Sequence, residues 1–234
     1  MLIIGPPFGN YLNLPNTISI KGSYTLEKRD GLFLQILKTL RYSFEKKGWI
    51  NKIGLRNKGI DWAVKNYEKK HIYSIAILNS SDIPKIIEKI PKDMNVELNV
   101  SCPNAEKETV SNGLQGFINI DRKYCILKLS PLISCDSIDN FYKQGFRQFH
   151  CSNTIPIKEG GLSGPNVIPY TNKLITYIKH KYPNCEIIAG GGVQNYDDYI
   201  NYINKGANYV SISTILFNPY NSFFLYINYL INKK

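Results

Sequence analysis

The chain has 234 residues, 43% hydrophobic and 20% charged, enough for one domain (1–234) with a sizeable core and without a long linker or low-complexity segment. Its net charge of +11 would suit nucleic acid, but the lysines are spread without an interleaved aromatic–basic motif. The charge is therefore expected to be a solvated exterior around a site for anionic small molecules, with no nucleic-acid partner. Cys102, Cys125, Cys135, Cys151 and Cys185 are odd in number and lack CxxC spacing, which argues against a disulfide framework or a metal site and for a reduced, cytoplasmic compartment. No apolar run reaches the length of a membrane span.

Short apolar, β-rich runs alternate with amphipathic stretches from one end to the other. Strands are predicted over 2–4, 18–21, 72–78, 96–101, 125–130, 148–152, 186–189 and 208–213. Helices are predicted over 59–70, 82–90, 137–143, 167–181, 196–205 and 223–231. Residues 33–47 form an insert with apolar residues at helical spacing. The connection 5–17 is short and rich in Pro and Asn, and 102–124 is too broken by Gly and Asn for a long helix. The alternation predicts a parallel sheet with helices outside, and eight strands predict a (β/α)8 barrel with trimmed outer helices.

In that architecture active sites lie at the C-terminal ends of strands. The out-of-place polar residues fall there: Ser23, Asn99, Cys102, Lys128, Asn153, Thr154, Ser213 and Thr214. The run Glu97-Leu98-Asn99-Val100-Ser101-Cys102-Pro103-Asn104 ends a strand on a thiol between two carboxamides. A lone Cys is ordinarily a small core hydrophobe; here Cys102 can move a proton while Asn99 and Asn104 grip a flat polar ring. Lys128 interrupts the apolar run Ile126-Leu127-Lys128-Leu129. Either it snorkels to water or it is a fixed cation facing the barrel centre. Gly190-Gly191-Gly192 and Ser213-Thr214 end adjacent strands, where backbone N–H groups commonly hold a phosphate. Gly160-Gly161-Leu162-Ser163-Gly164 reads as a flexible loop before a helix.

The motifs ELNVSCPN, ILKLSP, CSNT followed by GGLSG, AGGGV and SIST, with GSYTLEKRDG and WINKIGLRNKGID upstream, resemble the dihydroorotate dehydrogenases in order and spacing. The resemblance runs over residues 5–216. It implies a flavin-mononucleotide (FMN) barrel that oxidises dihydroorotate to orotate in pyrimidine biosynthesis. Cys102 would be the base that takes the C5 proton while hydride leaves C6 for flavin N5. Asn51, Asn99, Asn104 and Asn153 would hold the substrate, with Thr154 and the backbone of residues 52–55, including Gly54 and Leu55, assisting. Ser23, Asn99, Lys128 and Ser152 would contact the flavin ring and ribityl chain, and Gly164, Gly191, Gly192, Ser213 and Thr214 the chain and phosphate.

A Cys base resembles the soluble class-1 enzymes. Within them, GGLSG resembles the branch that passes electrons to NAD through an iron–sulfur flavoprotein subunit, whereas SIAI over 74–77 is closer to the fumarate-using branch. The acceptor stays open, as does a homodimer. One departure stands out: the substrate- and flavin-contacting lysine of class 1 aligns with Gly22, and Lys21 is one residue early, on the opposite face of a strand. Two rival readings are a tRNA dihydrouridine synthase-like flavin enzyme, which the charge would suit, and a flavin-binding protein that has lost turnover.

Overall fold

The computed structural model describes residues 1–100 and 113–232. Along the chain these form β1 (Leu2–Ile4), β2 (Thr17–Tyr24), α1 (Leu32–Thr39), β3 (Arg41–Ser43), β4 (Gly48–Asn51), α2 (Ile60–Lys65), β5 (Ile72–Ala76), α3 (Asp82–Lys89) and β6 (Val96–Asn99). Then follow β7 (Cys125–Lys128), α4 (Cys135–Lys143), β8 (Gln148–Cys151), β9 (Ile155–Ile157), β10 (Gly160–Ser163), α5 (Ile168–Lys181), β11 (Glu186–Gly190), α6 (Tyr196–Asn204), β12 (Tyr209–Ile212) and α7 (Pro219–Ile231).

Strands β1, β2, β5, β6, β7, β8, β11 and β12 are parallel and close into a barrel in chain order, with β12 returning to β1. All eight coincide with the runs predicted from the sequence, because a parallel strand covered on both faces must be apolar nearly throughout. Outward-facing Leu2, Ile4, Ile75, Leu98, Leu127, Phe149, Ile187 and Val210 pack in the main core, which includes helix residues such as Ile86 and Ile175. Inward-facing Ile3, Ile20, Ile72, Ile126 and Ile188 fill the barrel's lower half. Two residues further along the same strands the inner face turns polar, at Ser74, Lys128 and Gly190. This change of character positions the site. The outer helices are short, and β1 reaches β2 through a single 3-10 turn, Phe8–Asn10.

A second sheet was not foreseen. Strands β3, β4, β10 and β9 pair antiparallel in that order, with Asn51 opposite Gly161 and Trp49 opposite Ser163. Its halves leave the C-terminal ends of β2 and β8, so it caps that end of the barrel. The helical spacing over 33–47 therefore carries only α1. Leu40 turns extended (φ −80°, ψ 117°), and Arg41–Ser43 pairs with β4 instead. The expected loop at 160–164 is strand β10 up to Ser163. The helix expected over 59–70 stops at Lys65, where Tyr73 Oη donates to Asn66 O (3.1 Å) and accepts from Glu68 N (2.9 Å). Helix α7 starts earlier than expected, with Asn218 as N-cap and Pro219 in its first turn.

Candidate active site

The mouth of the barrel is built on a chain of hydrogen bonds that runs one way. Asn153 Nδ2 donates to Asn99 Oδ1 (3.3 Å), and Asn99 Nδ2 donates to Ser23 Oγ (3.3 Å). Ser23 Oγ lies 2.9 Å from Ser74 Oγ, and Ser74 donates to Glu97 Oε1 (2.8 Å). Since the terminal carboxylate only accepts, Ser74 spends its proton there and Ser23 must donate to Ser74. Asn153 Oδ1 accepts in turn from Thr154 N (2.9 Å). The direction of the chain fixes which amide atom each Asn presents.

Glu97 is fully buried in β6. Its second oxygen lies 2.6 Å from His150 Nδ1, and Lys128 Nζ stands 3.6 Å from the first. Burial pushes the Glu97 carboxyl up, but the Lys128 charge, then His150 and Ser74, outweigh it and hold the group below the usual carboxylate range. Burial, reinforced by Lys128, pushes the His150 imidazole down against the pull of Glu97. A neutral His150 bonded to a carboxylate carries its proton on Nδ1. Lys128 is thus a cation with a buried counter-charge, its side chain 12% exposed, and it does not snorkel to the outer surface.

Ser23 reaches this group through a bulge. Gly22 pairs with Ser74 and Tyr24 with Ile75, leaving Ser23 as the extra residue of β2. The bulge comes after Lys21 and does not re-aim it. Lys21 points out of the barrel and pairs with Glu68 (3.1 Å). Gly22 has φ +124°, and a Cβ there would meet Ser74 O at 2.5 Å, so no side chain fits at the position where the sequence resemblance leads to the expectation of a lysine.

The other expected site residues divide into groups. Asn51 ends β4 in the cap, and Gly54 and Leu55 follow it. Arg29 Nε donates to Gly54 O (3.3 Å) and Asn57 Nδ2 to Leu55 O (2.7 Å). Asn57 also ties Thr25 and Gly59 to this loop, a positioning role that sequence reasoning missed. Ser152 turns its hydroxyl to Thr171 of α5 (2.9 Å), which is bonded to Gly190 O, so that hydroxyl is not part of the Asn99 chain. Gly191 and Gly192 are left-handed (φ +87° and +82°), and added Cβ atoms would strike Val167 and Ile168. Their loop is therefore drawn tightly against the turn after Gly164. At the next strand end, Ser213 Oγ donates to Pro6 O (2.9 Å), and Thr214 begins a 3-10 turn. Cys102 and Asn104 lie outside the described residues.

Ser74, Glu97 and His150 were also missed. Their signal was parity: Ile72 and Ser74, Glu97 and Asn99, Gln148 and His150 each stand two apart on a strand and so share a face. Among the described cysteines, burial raises the thiols of Cys125 (to about 11), Cys151 and Cys185, which keeps them protonated. An apolar groove of about 360 Å³ lined by Pro131, Cys135, Tyr170 and Tyr177 lies on the outer wall and has no part in the mouth.

Fold and mouth together define a (β/α)8-barrel protein whose ligand site combines carboxamides, hydroxyls and one buried-paired lysine. A dihydroorotate dehydrogenase family model matches residues 120–229. The catalytic subunit of dihydroorotate dehydrogenase B (NAD(+)) from Staphylococcus carnosus (strain TM300) is 31% identical over 220 residues, 77% of this chain and 70% of that protein. Its counterpart from Malacoplasma penetrans (strain HF-2) is 30% identical over 221 residues, 78% and 71% of the two chains. The crystal structure of DHODH from Eimeria tenella in complex with ferulenol superposes with a TM-score of 0.64 at 16% identity, covering 85% of this chain and 70% of that one, and supports the fold. The chain belongs to the dihydroorotate dehydrogenase family, a family of flavin-dependent oxidoreductases of pyrimidine biosynthesis. This sets aside the tRNA dihydrouridine synthase alternative. No helix among the described residues is long and apolar enough to cross a membrane.

Proposed function

We propose that this protein oxidises dihydroorotate to orotate with FMN as its cofactor. The observation that carries the reading is the one-way hydrogen-bond chain from Asn153 to Glu97, with Lys128 beside its end. It presents fixed amide donors and acceptors next to a cation, the donor set that a flat heterocycle of alternating N–H and C=O groups needs. The residues fit FMN: Lys128, Ser23 and Asn99 would face its ring, and the tight glycine loop at 191–192 with Ser213 and Thr214 would take its phosphate. When bound, the flavin supplies the acceptor for a hydride from the substrate.

The chain's own residues do the rest. Cys102, three residues beyond Asn99, takes the C5 proton. Asn99, Asn104 and Asn153 orient the ring, with Asn51, Thr154 and the backbone at Gly54 and Leu55 closing from the cap side. Lys128 stabilises negative charge that develops on the ligand, an electrostatic contribution that needs no reorganisation because Glu97 already holds the lysine in place. Electrons would leave for NAD through an iron–sulfur flavoprotein partner, as the names of the two relatives favour over fumarate.

The test is direct. The purified protein should be yellow, release FMN on denaturation, and bleach anaerobically with dihydroorotate. A full complement of FMN that dihydroorotate leaves oxidised would refute the assigned substrate and favour a flavin protein without turnover.

A further inference from the structure

Behind Lys128 the carboxylate of Glu97 is shared unequally. Its Oε2 makes a 2.6 Å contact with His150, its Oε1 accepts from Ser74 at 2.8 Å, and Lys128 is left at 3.6 Å. A charge-assisted N–H···O bond runs about 2.7–2.9 Å. Glu97 therefore compensates the charge of Lys128 without taking one of its protons. We propose that His150 keeps Lys128 available to the ligand by occupying the carboxylate oxygen that would otherwise capture it. The inference rests on the reading of the mouth as an FMN site and makes His150 a positioning residue, since it acts only through Glu97 and Lys128.

Three observations support it. His150 is 2% exposed and Glu97 fully buried, so no solvent can replace the imidazole as donor to Oε2. The ring is held in place: a Cβ at Gly190 would lie 2.4 Å from His150 Nε2, so the glycine leaves just enough room for the imidazole in this orientation. Finally, a buried carboxylate oxygen deprived of its donor is costly, and Lys128, 3.6 Å from the other oxygen of the same carboxylate, is a donor able to relieve it. Without His150, Glu97 would close on Lys128 and draw the ammonium down from the mouth.

The experiment compares His150→Phe, which keeps a ring but removes the donor, with His150→Asn, whose amide can replace Nδ1–H. The readout is the midpoint potential of bound FMN, and in parallel the imidazole 15N spectrum of the cofactor-free wild type, which has only three histidines to assign. The Phe variant should bind reduced relative to oxidised FMN about tenfold more weakly, a potential about 30 mV lower for a two-electron couple. The Asn variant should recover most of that. In a Lys128→Met background, His150→Phe should add nothing. The 15N spectrum should show His150 protonated on Nδ1 at neutral pH. An unchanged potential in the Phe variant, a full shift that persists without Lys128, or an Nε2-protonated His150 overturns the inference. If the Phe variant does not fold, the Asn variant and the wild-type spectrum decide it. Failure of the wild type to bind FMN instead overturns the flavin reading itself, whatever tautomer His150 shows.

Discussion

Lys128 Nζ stands 3.6 Å from Glu97 Oε1 between neighbouring strands of the barrel, and Glu97 has no exposure to solvent. Removing one member of a buried ion pair leaves the other uncompensated, at about 3–5 kcal/mol. Lys128→Met should therefore lower stability by about that amount, read as a shift in the urea unfolding midpoint. The double variant Glu97→Gln/Lys128→Met should regain part of the loss. If Lys128→Met unfolds like the wild type, the two side chains are not coupled as described.

Acid should destabilise the protein in two stages. His150 and His71 are both held below the ordinary imidazole range, chiefly by burial. Below about pH 6.5 the unfolded chain takes up protons that these folded histidines refuse, so stability falls with pH by up to about 1.4 kcal/mol per unit for each. Glu97, held low when folded, adds a second loss as the pH drops below the usual carboxylate range and through its folded value. Urea midpoints between pH 7.5 and pH 5.5, a range of about two units around the imidazole value, should slope downward. His150→Asn should flatten that slope, and an equal slope in both proteins would assign the first stage elsewhere.

Lys21 offers a sharp test of register. Its pair with half-exposed Glu68 is a surface contact worth about 0–1 kcal/mol. Lys21→Ala should leave the rate of flavin reduction by dihydroorotate within about threefold of wild type, far from the 10²-fold or greater cost typical of removing a catalytic group. Gly22→Lys, by contrast, should lower stability without raising the rate, because Gly22 has φ +124° and no space for a Cβ. A hundredfold slower Lys21→Ala would place that lysine in the site.

Gly191→Ala would force a side chain against Val167 in a left-handed conformation. Weaker binding of FMN, and of inorganic phosphate to the cofactor-free protein, is expected by equilibrium dialysis. Unchanged affinity for both would separate this loop from the phosphate.

The eight barrel strands were legible because burial on both faces leaves a largely apolar run such as Leu2–Ile4, which local sequence records. The cap was not. Strands β3 and β9 span three residues each and β4 and β10 four, and Asn51 finds its partner at Gly161, so the pairing that defines them lies far along the chain. The same distance hid the heart of the site. Glu97 reads as a stray charge in a strand until His150 is placed opposite it. Lys128 was singled out by its apolar neighbours, but its counter-charge was not. A position at a strand end likewise does not say that the Ser152 hydroxyl turns to Thr171.

Oxidation of dihydroorotate with Cys102 as the base, as proposed above, sets the most direct measurement. Stopped-flow reduction of the bound flavin by dihydroorotate, under anaerobic conditions, should show Cys102→Ala retaining FMN while its reduction slows by about 10²–10⁴-fold. A Cys102→Ala protein that is reduced at the wild-type rate would contradict the claim.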